Sequence, residues 1–400
     1  MPAGETPGLP PDLDLLSGIE DVVPAGLARA VREVPLVDHH VHGAFTADVE
    51  RSAFEYALVE ASTDPVPAWD SAFATPLGLS LRRWCAPLLG LPAHAGGEEY
   101  WEARSALGAD ELARRFTSAA GVERWVVDTG FSGGSVQSPT ALAGTGGGTW
   151  SEIVRLEPMV ERVVAEVAPA DVADEVRTRL AAATAGPEQV GVKSIAAYRC
   201  GFDIDWSRPT DAAVAAAASA LAAATPDGET PRVADPVLIA FAVHEAAALG
   251  LPIQLHVGFG DRDLDLHRTD PLLLLPLLRT VTVPVLLLHC YPFHRQAAYL
   301  AQAFDHVSFD IGLAINYLGP RSVELVGEAM ELAPFAKQLY SSDAFGPPEL
   351  HFLGSVLWRR GMAVTLGTWL RRGDCSEADA VDALHAIAGR NARRVYGLPG

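Results

Sequence analysis

Short apolar runs rich in Val, Ile and Leu recur along the chain with longer stretches of helical periodicity between them, a pattern that predicts a parallel sheet of β-α units. Eight such runs follow in order: 35–42, 123–130, 152–157, 191–197, 252–257, 283–289, 306–311 and 338–343. Eight strands close a barrel, so the expected fold class is α/β, a (β/α)8 TIM barrel. Helices are expected over 157–167, 235–249, 270–278, 295–303 and 321–332. Asp235-Pro236 reads as an N-cap followed by a proline at the first helical position, and Gly250 as the stop. Residues 211–225 are almost pure Ala with Val, Ser and Leu, a helix that pads the crossover before a Pro/Gly-rich loop at 226–234.

The gap between the first two strands, residues 44–121, is too long for one crossover and carries Trp69, Trp84 and Trp101 among helical patches. It reads as a mostly helical insertion on the active-site end, a lid or specificity module. The tail at 376–398 reads as a final helix capped by Ser376, with Ala380, Leu384 and Ile387 on its apolar face. The whole of 1–400 is expected to be one barrel unit with no internal repeat.

Composition narrows the function classes. A formal net charge of −20 argues against nucleic acid as a partner, since phosphate backbones require a basic surface. Cys85, Cys200, Cys290 and Cys375 are too scattered for a thiolate zinc knot or a disulfide framework. The opening to Pro11 lacks a charged-then-apolar leader, and no apolar run reaches the roughly 18 residues of a membrane span, so the expectation is a cytoplasmic protein without a membrane partner.

Chemistry concentrates at the strand ends. Alternation puts Asp38, His40 and His42 on one inward face of the first strand, and two imidazoles on one rigid strand can share a metal. A single His-x-His is a weak signal. His256 ends the fifth predicted strand, His289 the sixth and Asp343 the eighth, the rim where barrels carry catalytic groups. Asp128 and Glu157 point to the same mouth as groups that orient ligands. Arg199 with Tyr198, Tyr291 with His294, and Asn316 with Tyr317 follow strands 4, 6 and 7, and Arg82, Arg83 and Trp84 sit in the insertion. These are the candidates for substrate recognition, with arginine suited to clamp a carboxylate through two hydrogen bonds.

Through Asp38-His-His-Val-His42, Gln254-Leu-His256, Leu288-His289, Ser342-Asp343 and Gly389-Arg-Asn-Ala-Arg-Arg-Val-Tyr396, the chain resembles the amidohydrolase superfamily of metal-dependent barrel hydrolases. Val192-Lys-Ser-Ile-Ala-Ala-Tyr-Arg199, His289-Cys-Tyr-Pro292 and Tyr340-Ser-Ser-Asp-Ala344 are most similar to its domains that occur alone or fused ahead of a glutamine-synthetase-like domain. The resemblance implies His40, His42, His256 and Asp343 as metal ligands. It implies Asp343 as the base for an attacking water and His289 as a further ligand or the polariser of the substrate carbonyl. Lys193 is either carboxylated and bridging two metals or an ammonium that holds a substrate carboxylate or Glu157. The cofactor is then one or two divalent ions. Zinc is favoured by the donors, and manganese, nickel or iron fit the same set. The implied reaction is hydrolysis of a C–N amide bond in a small carboxylate or amide substrate, possessing a γ-glutamyl group by analogy with the fused relatives. Decarboxylation, sugar-acid isomerisation and a catalytically silent scaffold are the alternatives, and a homo-oligomer is compatible with exposed barrel helices.

Overall fold

The structure, a computed structural model, describes residues 9–11, 13–62, 64–130 and 134–399. Seven strands form one parallel sheet in sequence order: β1 (Leu36–Val41), β2 (Val122–Asp128), β3 (Thr149–Arg155), β4 (Gln189–Ser194), β5 (Ile253–Val257), β6 (Val285–His289) and β7 (Val307–Phe309). β1, β5 and β6 are buried along their whole length, which is why they read as unbroken apolar runs punctuated by site residues. Val37, Val126, Ile153, Leu286, Leu288 and Leu339 come from different points of the ring and meet in one apolar cluster, the interior of a barrel.

The eighth run closes the ring without forming a regular strand. Leu339 N–H donates to Phe309 O (3.0 Å) on β7, while His39 N–H donates to Tyr340 O (3.2 Å) and Asp343 N–H to His40 O (3.1 Å) on β1. The ladder is interrupted because neighbouring groups take other partners: Ser342 N–H donates to the Asp38 carboxylate (2.9 Å), and Tyr340 N–H donates to Ile387 O (3.1 Å). That carbonyl lies in a π-helical turn, Ala386–Arg390, which divides the tail into Glu377–His385 and Asn391–Tyr396 rather than one continuous helix.

Two further departures bear on the site. The pairing of β1 with β2 shifts register between Asp38 and Val41, so strict alternation fails there. Val37 joins the interior cluster, and Asp38, expected beside His40 and His42, instead bonds Ser342 through backbone and hydroxyl. Glu157, expected on strand 3, lies in the first turn of the helix Leu156–Glu166, because β3 ends at Arg155.

The longest helix, Glu349–Arg372, has 24 residues and no counterpart in the apolar pattern. It is buried on nearly every side over its first five turns, so it shows no amphipathic stripe. Close packing there requires glycine: a Cβ on Gly361 would stand 2.6 Å from Val326 Cγ2, and one on Gly367 2.6 Å from Val22 O. The segment 44–121 folds into the helices Arg51–Tyr56, Pro76–Trp84, Gly97–Ser105 and Ala109–Ala119 with intervening 3-10 turns. It is pinned to the long helix by a buried ion pair, Arg104 Nε to Glu349 Oε1 at 2.6 Å. Among the described residues no helix is long and apolar enough to cross a membrane.

Candidate functional site

The end of β1 and the residue after it carry three histidines, His39, His40 and His42, and hydrogen bonds fix the tautomers of His40 and His42. Gln254 Nε2 donates to His39 O (2.9 Å) and Tyr396 Oη (2.7 Å), so the amide presents Oε1 to His40 Nδ1 at 2.8 Å. His40 is therefore protonated on Nδ1, and its Nε2 lone pair faces the barrel mouth. His42 is set the same way, since its Nδ1 lies 2.9 Å from the Asp128 carbonyl, which can only accept. His351 Nε2 in turn donates to the carbonyl of His42 (2.9 Å), holding the backbone of that residue. His39 bridges Tyr396 Oη (3.1 Å) and Asp310 (2.9 Å), and Asp310 also accepts from the N–H groups of His289 (2.9 Å) and Gly312 (2.7 Å). One buried relay thus ties the C-terminal helix to the ends of β1, β6 and β7.

Asp343 stands where these side chains converge. Its Oδ1 is 3.1 Å from His40 Nε2 and 3.5 Å from His42 Nε2, and its Oδ2 is 3.4 Å from His289 Nε2. Asp343 and His289 reach this point through left-handed backbone, φ 49° and 71°, with Cys290 at 53°. Such conformations are costly for residues with a Cβ, and here they turn two strand-end side chains inward. Burial pushes the imidazole of His40 down to about 3, with the Lys193 charge adding to the effect, and that of His289 down to about 4. Burial alone would raise Asp343, but the surrounding His289, His40 and His42 hold it well below the usual carboxylate range. Neutral imidazoles around an ionised carboxylate are the protonation states that metal ligation requires.

Lys193 places its ammonium 3.1 Å from His40 Nε2. Burial pushes it down to about 8, while Asp128 and Asp343 work in the opposite direction. It makes no ion pair with Glu157, whose Oε1 accepts from Ser194 Oγ (2.6 Å) and Ile195 N–H (2.9 Å) and so shapes the loop after β4. Arg155, in register with Lys193 across β3 and β4, was not among the sequence candidates. Its guanidinium clasps Asp128 Oδ2 through Nη2 (2.5 Å) and Nε (3.1 Å). Asp128 therefore serves His42 through its carbonyl and Arg155 through its carboxylate.

These groups floor a cavity of about 210 Å³. Lys193, Arg199, His256, His289, His42 and Asp343 line it, as the sequence reading anticipated for the mouth. His256 packs beside His289 with ring centroids 4.7 Å apart, but its Nε2 lies 3.0 Å from both the Phe259 carbonyl and Tyr198 Oη rather than turning to Asp343. Tyr291, His294 and Asn316 are not in the lining. Tyr291 stacks on His294 at 6.2 Å, His294 Nε2 bonds Glu328 (2.9 Å), and Asn316 Nδ2 donates to the carbonyls of Ser342 and Leu350, both at 3.3 Å. The lining also contains Glu60 from the insertion, Asp261 after β5 and Arg232 ahead of the helix Pro236–Ala248. Nothing in local periodicity marks these three, since all lie in loops.

The donor set fits a divalent ion. Two groups of side chains bring one ligand atom each to within 4.8 Å of one another, His40 with His289 and Asp343, and His40 with His42 and Asp128. His289 is the independent sign: at 1% exposure, and with Asp343 Oδ2 only approaching Nε2 at 3.4 Å, neither of its ring nitrogens has a hydrogen-bond partner among the described residues. A buried imidazole without partners is expensive unless a ligand completes it.

A parallel barrel with a histidine and carboxylate cluster at the C-terminal ends of its strands defines a metal-dependent barrel enzyme. Residues 228–398 match the family model described as Amidohydrolase. A solved structure described as a metal-dependent hydrolase from Lactobacillus casei is 26% identical, with a TM-score of 0.77 over 93% of this chain and 97% of that one. Protein fluG of Emericella nidulans is 30% identical over 230 residues, 54% of this chain and 26% of that relative's length. A uronate isomerase from Bacillus halodurans, 13% identical with a TM-score of 0.61 over 94% of this chain and 96% of that one, shares the fold. Residues 228–398 thus carry the amidohydrolase match, the whole chain is similar in fold to a metal-dependent barrel hydrolase, and the chain is an enzyme.

Proposed function

We propose that the chain hydrolyses the C–N bond of a small carboxylate-bearing amide, with γ-glutamyl amides as the substrate class. The observation that carries this reading is the ionised Asp343 within 3.5 Å of three imidazole nitrogens, at the floor of a cavity that also presents Lys193 and Arg199. His40, His42, His289 and Asp343 would hold the divalent ion, with His256 beside them. When bound, that ion supplies Lewis acidity toward the amide carbonyl and lowers the pKa of a coordinated water.

The residues of the chain do the rest. Asp343 accepts the proton of the attacking water as its oxygen bonds the amide carbon, and delivers that proton to the leaving nitrogen as the C–N bond breaks. Lys193 binds substrate carboxylate, Arg199 lines the same cavity with its guanidinium held by Glu161, and Gln254 and the Asp128 carbonyl keep His40 and His42 in the ligating tautomer. Zinc is the ion best suited to the nitrogen and carboxylate donors. A cytoplasmic setting agrees with the free thiols of Cys85, Cys200 and Cys290.

The test is a panel of γ-glutamyl amides and uronic acids offered to the metal-loaded protein, with amine release, isomerised sugar and carbon dioxide followed together by mass spectrometry. Amine release that Asp343→Asn abolishes supports the proposal. Sugar isomerisation or carbon dioxide without amine release replaces it with the isomerase or decarboxylase reading.

A further inference from the structure

The cavity holds ionisable groups of both signs that the protein does not pair, and burial pushes the carboxyl of one of them, Glu60, up to about 8. Among the described residues, Lys193 and Arg232 have no carboxylate within 4.0 Å, and Glu60 and Asp261 have no cation within that distance, although all four line one cavity. Two neighbouring arginines are paired: Arg199 with Glu161 at 3.0 Å, and Arg268 with Asp203 at 2.8 Å. Glu60 is partly buried, and its recorded hydrogen bond is accepted from Tyr317 Oη at 3.4 Å. Unpaired charge in a partly dry cavity is unfavourable, and a ligand carrying both signs removes the cost at both ends.

We infer that the insertion supplies Glu60 as a specificity determinant which, with Asp261, receives a substrate ammonium while Arg232 and Lys193 receive its carboxylate. The substrate head is then a zwitterion, an α-amino acid, and not a simple dicarboxylic acid or a uronate. Burial pushes the Asp261 carboxyl up, and the Arg232 guanidinium is near enough to work against that shift, as two groups facing substituents of one carbon should be. The position of Glu60 is also consistent: it reaches the cavity from the 44–121 segment, whose residue Asp64 is tied to Arg262, next to Asp261 in the loop after β5, at 2.5 Å.

This inference deepens the amide reading, but its binding test does not need turnover. Titration calorimetry on the metal-loaded full chain compares L-glutamate with glutarate, which differ by the ammonium alone. The expected result is at least tenfold tighter binding of glutamate, and collapse of that ratio toward one in Glu60→Gln. Equal affinity of the wild type for the two ligands overturns the inference, as does a preference that persists in Glu60→Gln. If Glu60→Gln does not fold, the wild-type ratio alone decides. If no amide is hydrolysed yet the ratio and its loss are observed, the amide reading fails and the zwitterion site stands.

Discussion

Replacing Gln254 with methionine isolates the tautomer control of the metal centre. The side chain is fully buried and makes three hydrogen bonds, to His40 Nδ1, His39 O and Tyr396 Oη, at 2.8, 2.9 and 2.7 Å. Methionine keeps the length and loses all three. Leaving buried partners unsatisfied at about 1 kcal/mol each gives a stability loss of about 3 kcal/mol. The functional consequence is separate: without the acceptor, His40 is free to carry its proton on Nε2 and to rotate. Loss of such an outer partner typically costs about 10- to 100-fold in metal affinity. Competition against a chromophoric chelator measures this directly, and urea unfolding of the metal-free protein measures the stability. Gln254→Glu restores the acceptor and should recover most of the affinity while leaving His39 O and Tyr396 Oη without their donor. A Gln254→Met protein that binds metal within twofold of wild type would refute the argument that this amide sets the ligating tautomer.

Arg104→Met leaves Glu349 buried without its cation, at 0% side-chain exposure, and should destabilise the chain by about 3–5 kcal/mol, with Glu349→Gln recovering part of the loss. Urea midpoints test this, and a cost below about 1 kcal/mol would show the pair is not what fastens the 44–121 segment. Burial pushes His351 from 6.5 down to about 4. Between those values the unfolded chain binds a proton that the folded chain does not, so stability falls as pH drops through the window. His351→Gln should make the pH dependence of the urea midpoint shallower from about pH 6.5 to 4, and an unchanged slope would contradict this.

Much of the site was legible because the strand-end positions of His40, His42, His289 and Asp343 are spaced by whole β-α units. The rule used to orient them was simpler than the molecule. Alternation put Asp38 with the two histidines, whereas the register shift in β1 frees Asp38 to bond Ser342 and brings His39 into the relay with Asp310. Left-handed backbone at His289 and Asp343 leaves no mark on a hydrophobic pattern, and neither does the diversion of Ser342 and Tyr340 hydrogen bonds that breaks the eighth strand. The helix Glu349–Arg372 escaped notice for the opposite reason, being buried on so many sides that its apolar residues have no helical stripe. Arg155 could have been found by parity, two residues beyond the inward Ile153 on β3. Glu60, Asp261 and Arg232 could not, because loop positions meet only in three dimensions.

Metal stoichiometry tests the central claim most directly. The purified chain, dialysed with zinc and then freed of loosely held ion, should retain at least one equivalent per chain by elemental mass spectrometry. His42→Ala and Asp343→Asn should each lose it while keeping the wild-type circular dichroism spectrum. Wild-type protein that retains no divalent ion, or variants that retain as much as wild type, would contradict the assignment of His40, His42, His289 and Asp343 as a metal centre.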